Sequence, residues 1–160
     1  NMVSDQLHII GLSENNNLLA KGIEYFWKCW GSETNFEFYK DAILNASQKT
    51  TAVPEFYVAT FDSEIIGCVA LITNDLNSRQ DLFPWLACLY VEENFRNQNI
   101  AGMLMQRVLN DAANAGILNV YLSTDLENFY EKKGWKKNGV CYNMEGSPFT
   151  VYEKPTGFQS

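Results

Sequence analysis

Apolar and polar positions alternate along this chain in blocks of two different periods. Leu7–Leu12 is a short apolar run that predicts a first strand. Asn17–Trp30 carries Leu18, Leu19, Ile23, Phe26, Trp27 and Trp30 at helical spacing. Thr34 and Glu37 have the T-x-x-E spacing of a capping box, which predicts a second helix bearing Phe38, Ala42 and Ile43. Phe56–Phe61 and Ile65–Ile72 flank the polar turn Asp62-Ser63-Glu64 and read as an antiparallel hairpin. Thr73–Pro84 is a polar loop with no pattern of its own, of a length that compact domains tend to keep for function. Trp85–Val91 is apolar throughout, as a strand buried on both faces must be.

Ile100, Leu104, Val108 and Ala112 then recur four apart, and Ala101, Met105 and Leu109 widen the stripe. They predict a helix over Ile100–Ala115 with Gly116 as its C-cap. Val120–Ser123 is a further short strand. Asn128 and Glu131 are spaced to cap a last short helix, Phe129–Lys133, ended by Gly134. Val140–Met144 and Phe149–Glu153 read as a closing hairpin around Glu145-Gly146-Ser147-Pro148. The order β-α-α-β-β-β-α-β-α-β-β implies a mixed sheet with helices on its faces, an α/β or α+β domain. Strand and helix do not alternate regularly, which argues against a doubly wound nucleotide-binding fold. Without repeats, low-complexity tracts or linkers, residues 1–160 are expected to form one domain.

Composition supports that picture. With 46% apolar and 19% charged residues, a chain of 160 residues can bury a proper core. The longest apolar run, Trp85–Val91, falls far short of the roughly 20 residues a bilayer demands, so no membrane partner is expected. No charged-then-apolar leader opens the sequence, so the expected location is cytoplasmic. A net charge of −7 repels phosphate backbones, so nucleic acid is not an expected partner. The same charge suits a cationic substrate, although it also serves solubility. Cys29, Cys68, Cys88 and Cys141 lack metal-site spacing and read as buried free thiols of a reducing compartment. The only histidine, His8, sits in the first strand, and no G-x-S-x-G elbow accompanies it. No metal is expected.

The chemistry-bearing stretch is Leu89–Gly102, where a buried strand runs through a polar turn straight into a helix. Asn94, Asn97 and Asn99 tolerate unusual backbone angles, and Ala101 and Gly102 keep the first helical turn small. Unpaired N–H groups at a helix N-terminus attract anions, and small side chains let a diphosphate approach. The P-loop pattern G-x-x-x-x-G-K-[ST] is absent.

This segment resembles the acyl-CoA signature of the GNAT superfamily of N-acetyltransferases. In that signature a strand ending in aromatic-Val leads into Arg/Gln-x-x-Gly-x-Gly/Ala and a long helix. Here Arg96-Asn97-Gln98-Asn99-Ile100-Ala101 fills the turn, with Asn99 where glycine is usual. A second stretch, Asn128-Phe129-Tyr130-Glu131-Lys132-Lys133-Gly134-Trp135, is similar to the family's Asn-x-x-Tyr-Glu-Lys-x-Gly-aromatic segment. Together the two signatures and the element order cover roughly residues 56–153. The resemblance implies an acyl-CoA N-acyltransferase fold: a mixed, mostly antiparallel sheet of about seven strands, splayed in the middle and flanked by about four helices.

It also implies acetyl-CoA as co-substrate and transfer of its acetyl group to an amine. The diphosphate would be held by backbone amides of Gln98, Asn99, Ile100, Ala101, Gly102 and Met103, with Asn97 in the same turn. Arg96 would add a charge-assisted contact, or else stand as a solvated turn charge. Leu89, Tyr90 and Val91 would pair with the pantetheine arm in the splayed sheet. Asn128 would bond that arm, cap the following helix, or do both. Tyr130 would be the general acid that protonates the leaving thiolate. Asp125 is the first candidate for the base, with Glu92 and Glu93 as alternatives. For the acceptor pocket the candidates are Asp81, Trp85 and Tyr57, together with Asp75, Phe83 and Tyr142. Aromatic walls and carboxylates favour a small cationic amine. A protein N-terminus or lysine, and a non-catalytic acyl-CoA sensor, are the alternatives. A homodimer is common in such a family.

Overall fold

The computed structural model describes residues 6–159. Its elements are β1 (Leu7–Gly11), α1 (Leu19–Trp30), α2 (Phe36–Ser47), β2 (Glu55–Phe61), β3 (Glu64–Ile72), β4 (Trp85–Val91), α3 (Ile100–Asn114), β5 (Asn119–Thr124), β6 (Lys136–Tyr142) and β7 (Pro148–Pro155). Single 3-10 turns lie at Leu12–Glu14, Asn16–Leu18, Glu93–Phe95 and Glu131–Lys133. The β2–β3 turn is tighter than its sequence suggests. Asp62 and Ser63 both take positive φ, 51° and 71°, so two residues suffice, as in a twist-matched hairpin.

Two expected caps do not form. The helix after Thr34 begins at Phe36, with Asn35 in the capping position and no side-chain cap bond. The reason is local competition: Asn35 Oδ1 accepts from the Ser32 amide at 2.6 Å, closing a turn of its own. Likewise Asn128 has a left-handed backbone, φ 64°, whereas an N-cap residue is extended. Phe129–Lys133 is therefore no α-helix but a turn whose 3-10 part is Glu131–Lys133. Three α-helices flank the sheet among the described residues.

The sheet has the order β1-β2-β3-β4-β5-β7-β6. All neighbours are antiparallel except β4 and β5, which run parallel and pair only at Trp85 and Tyr121. Above that pair the two strands part. On one face lies α3, whose predicted stripe (Ile100, Leu104, Met105, Val108, Leu109, Ala112) is buried against Val69, Leu71, Leu86 and Leu122. A fully buried leucine such as Leu104 contributes about 1.5–3 kcal/mol by leaving water. On the other face α1 and α2 bury Ile23, Phe26, Ile43 and Ala46 against Phe56, Val58, Cys68 and Ala70.

The Thr73–Pro84 loop adds Leu82 to a third, smaller cluster, formed by Trp85, Cys141 and Val151 with Phe149 packed against them. The loop is laced by its own amides: Asn74 Oδ1 accepts from Asn77 N, Asn77 Oδ1 from Arg79 N, and Gln80 Nε2 donates to Asn77 O. It is tied to β6 as well, because Ser78 N donates to Tyr142 O and Tyr142 N to Ser78 Oγ. A connection without regular structure is thus fixed across the sheet.

Candidate functional site

β4 is irregular where it faces the gap. Ala70 pairs with Ala87 and Cys68 with Tyr90, so Cys88 and Leu89 together oppose the single residue Val69. Cys88 absorbs this bulge with φ 57°. The extra residue resets the alternation: Leu86, Leu89 and Val91 face the α3 side, while Cys88 and Tyr90 face α1 and α2. From Leu89 upward, β4 has no partner strand on its β5 side.

The gap opens into a cavity of about 500 Å³. Leu89, Tyr90 and Val91 form one wall; Arg96, Asn97, Asn99, Ile100, Ala101 and Gly102 form the floor; Leu126, Phe129, Tyr130 and Lys133 close the far side. The floor is the N-terminus of α3. Asn99 caps it in the left-handed region, φ 62° and ψ 23°, with no side-chain cap bond, and Asn97 is left-handed as well. Asparagine reaches this region more readily than other non-glycine residues, so the turn forms without the usual glycine. The amides of the first helical turn donate to no capping side chain, although the Asn99 side chain lies over them at Gly102, and such a terminus attracts an anion.

Two cations stand by that floor in an otherwise acidic protein. Arg96 is held by its own turn: Nε donates to Val91 O at 2.9 Å, and the guanidinium lies 5.5 Å from the Tyr90 ring centre. Its terminal nitrogens make no hydrogen bond among the described residues. Lys133 packs its ammonium 5.1 Å from the Phe129 ring centre. Sequence reading did not single out Lys133. Its position depends on the Asn128 and Gly134 reversals, which a linear pattern does not reveal.

Tyr130 is buried, 8% exposed, among Phe129, Trp135 and Tyr152. Burial alone pushes its phenol above the ordinary range, so the hydroxyl stays protonated at neutral pH. It lines the cavity opposite Leu89–Val91. Of the other expected residues, Gln98 is exposed on the same turn and Met103 is one residue further along α3, beside Asn99 and Gly102. Asn128 and Asp125 are exposed on the connection after β5 and do not line the cavity.

The residues proposed for the acceptor are dispersed. Tyr57 is fully buried under α3, where its hydroxyl donates to Asp111 Oδ2 at 2.8 Å and Arg107 stacks on its ring. Trp85 is fully buried at the closed end of the gap and donates Nε1 to Leu82 O. Asp81 is exposed and engaged by Arg79 through two bonds of 3.0 and 2.9 Å. By contrast Asp75, on the same loop, is half-buried and unpaired among the described residues. Burial pushes its carboxyl up to about 6. Glu92 is taken by Tyr25, whose hydroxyl donates to it at 2.5 Å. No cluster of metal-binding side chains occurs among the described residues.

The chain is similar to known proteins in sequence family and in fold. The family model described as Acetyltransferase (GNAT) domain matches residues 53–137. The curated proteins contain no significant match. Among solved structures, aminoglycoside 6'-acetyltransferase type Ii is similar with a TM-score of 0.71 and 22% identity, over 96% of this chain and 99% of that one. An aminoglycoside 6'-N-acetyltransferase complexed with coenzyme A gives 0.70 and 19%, over 96% and 99%. Naa50 of Arabidopsis thaliana, bound to the bisubstrate analogue CoA-Ac-MVNAL, gives 0.62 and 17%, over 93% and 98%. At these identities the likeness is one of fold.

Proposed function

Because the chain belongs to the GNAT acetyltransferase family, we propose that it moves the acetyl group of acetyl-CoA to a primary amine of a small molecule. The observation that carries this reading is the cavity in the parted sheet, floored by the first turn of α3 and faced by the phenol of Tyr130, which makes no hydrogen bond among the described residues. The cradle fits a diphosphate: Gly102 presents no side chain, and Arg96 and Lys133 supply charge. The free edge of Leu89–Val91 offers backbone groups to an extended amide-bearing arm.

Chemistry then needs few parts. The amine attacks the thioester carbonyl directly, with no covalent enzyme intermediate. Negative charge grows on the carbonyl oxygen, and a backbone N–H near Val91 stabilises it. As the C–S bond breaks, Tyr130 donates its proton to sulfur. A phenol suits this task because it is neutral at physiological pH and donates without first being ionised.

The test is thiol release from acetyl-CoA with spermidine, tyramine, kanamycin and a peptide with a free N-terminus, followed by mass spectrometry of the product. An N-acetylated small amine supports the reading. Modification of the peptide alone replaces it with a protein-directed transferase. Binding of acetyl-CoA with no transfer to any amine favours a sensor.

A further inference from the structure

Tyr25, in the middle of α1, reaches the turn that carries Arg96. Its hydroxyl donates to Glu92 Oε2 at 2.5 Å, and Glu92 is the first residue after β4. Among the described residues no other side-chain hydrogen bond runs from α1 or α2 to β4 or to the turn that follows it. Burial, and after it the adjoining carboxylate, push the phenol well above its ordinary range, so it stays protonated and donates. Tyr25 itself lies outside the lining of the cofactor cavity.

Glu92 is the pivot of that turn. Its amide donates to Ile66 O at 2.8 Å, and its carbonyl accepts from Phe95 N at 2.9 Å. The carbonyl of the preceding residue, Val91, accepts from Arg96 Nε at 2.9 Å. Val91 C=O and Glu92 N–H belong to one planar peptide unit, so whatever fixes that plane aims both bonds. One bond ties the plane to β3, and the other holds Arg96. The Glu92 side chain leaves the backbone at the edge of the same plane, and Tyr25 fixes where it goes. A second side-chain anchor, Phe95 against Phe61 with ring centres 5.4 Å apart, holds the far end of the turn.

We propose that Tyr25 is a positioning residue for the cofactor: through Glu92 it holds the Val91–Glu92 peptide so that Arg96 stands ready for the diphosphate. This rests on the acetyl-transfer reading above. Without the Tyr25 hydroxyl the Glu92 side chain is released and the peptide plane can rock. Arg96 must then be ordered when the cofactor binds rather than before. Ordering one long side chain on binding weakens affinity by about three- to tenfold. The loss falls on cofactor binding, so kcat at saturating acetyl-CoA changes little while the KM for acetyl-CoA rises.

The experiment measures acetyl-CoA affinity by calorimetry for wild type, Tyr25→Phe, Glu92→Gln, Arg96→Ala and the double variant Tyr25→Phe/Arg96→Ala. Amide hydrogen exchange is followed in ligand-free wild type and Tyr25→Phe at Phe95 and Arg96, whose amides bond to Glu92 O and Glu93 O. The inference expects Tyr25→Phe to weaken acetyl-CoA by about three- to tenfold and to speed exchange at both amides. Glu92→Gln keeps an oxygen that accepts from the phenol, so it binds within about twofold of wild type or more tightly. Once Arg96 is gone, Tyr25→Phe costs less than about twofold. Unaltered affinity in Tyr25→Phe overturns the inference. So does a loss of equal size with and without Arg96, which is what helix packing alone would give, or a Glu92→Gln as damaging as Tyr25→Phe. If wild type binds no acetyl-CoA, the acetyl-transfer reading falls and exchange alone decides: unaltered exchange at Phe95 and Arg96 in Tyr25→Phe overturns the inference.

Discussion

The Asn99 side chain lies over Gly102: a Cβ added at Gly102 would collide with Asn99 Oδ1. One residue thus supplies the left-handed turn and also shades the helix N-terminus that the turn exposes. Asn99→Gly keeps the backbone angle at no steric cost and uncovers the amides. Acetyl-CoA affinity is expected to hold or improve. Gly102→Ala pushes the Asn99 amide toward the cradle and is expected to weaken binding about tenfold, with a smaller loss in the Asn99→Gly background. Calorimetry on the two single variants and the double variant checks the coupling; a large loss from Asn99→Gly contradicts it.

Arg96 is positioned before any ligand arrives, because Nε is already fixed on Val91 O. Charge-assisted bonds of this kind are worth about 1.5–3 kcal/mol. Arg96→Ala should therefore weaken acetyl-CoA by roughly 10–100-fold, with a steeper salt dependence in wild type than in the variant. Affinity within twofold of wild type would make Arg96 a solvated turn charge.

Tyr130→Phe removes one hydroxyl and leaves the packing against Trp135 and Tyr152 in place. The expected result is a kcat lower by about 100-fold or more with acetyl-CoA affinity little changed. Steady-state kinetics and calorimetry on the same preparation separate the two effects. Unchanged turnover removes Tyr130 from the mechanism.

Asp75 also makes a prediction about stability that needs no ligand. Its carboxyl is raised from 3.8 to about 6, so between those values the folded chain binds more protons than the unfolded one. Stability from this group therefore falls as pH rises through that window. The displacement corresponds to about 3 kcal/mol at most. Asp75→Asn should stabilise the protein by roughly 1–3 kcal/mol at pH 8 and have almost no effect near pH 3.5. Urea unfolding at the two pH values checks this; an equal effect at both would mean that the charge is not the cause.

Much of the frame is legible in the residues because it follows from periodicity. The stripe from Ile100 to Ala112 had one face to bury, and the run Trp85–Val91 had none to expose. Asn99 was readable because few residues reach the left-handed region. The bulge at Cys88 was not, since it arises from how β4 registers on β3, and a strand read alone carries no register. The Thr34–Glu37 and Asn128–Glu131 boxes failed for a related reason. Their spacing fits a cap, but Asn35 and Asn128 had local turns available that used the backbone differently. Lys133 and Asp75 acquire their surroundings only when distant elements are packed together.

The most direct measurement is a crystal structure of the protein grown with coenzyme A. The account predicts diphosphate oxygens within hydrogen-bonding distance of the main-chain N–H groups between Gln98 and Met103, and the sulfur in the gap beside Tyr130. A cofactor lodged elsewhere, or a first turn of α3 still covered by the Asn99 amide with coenzyme A bound, would contradict it.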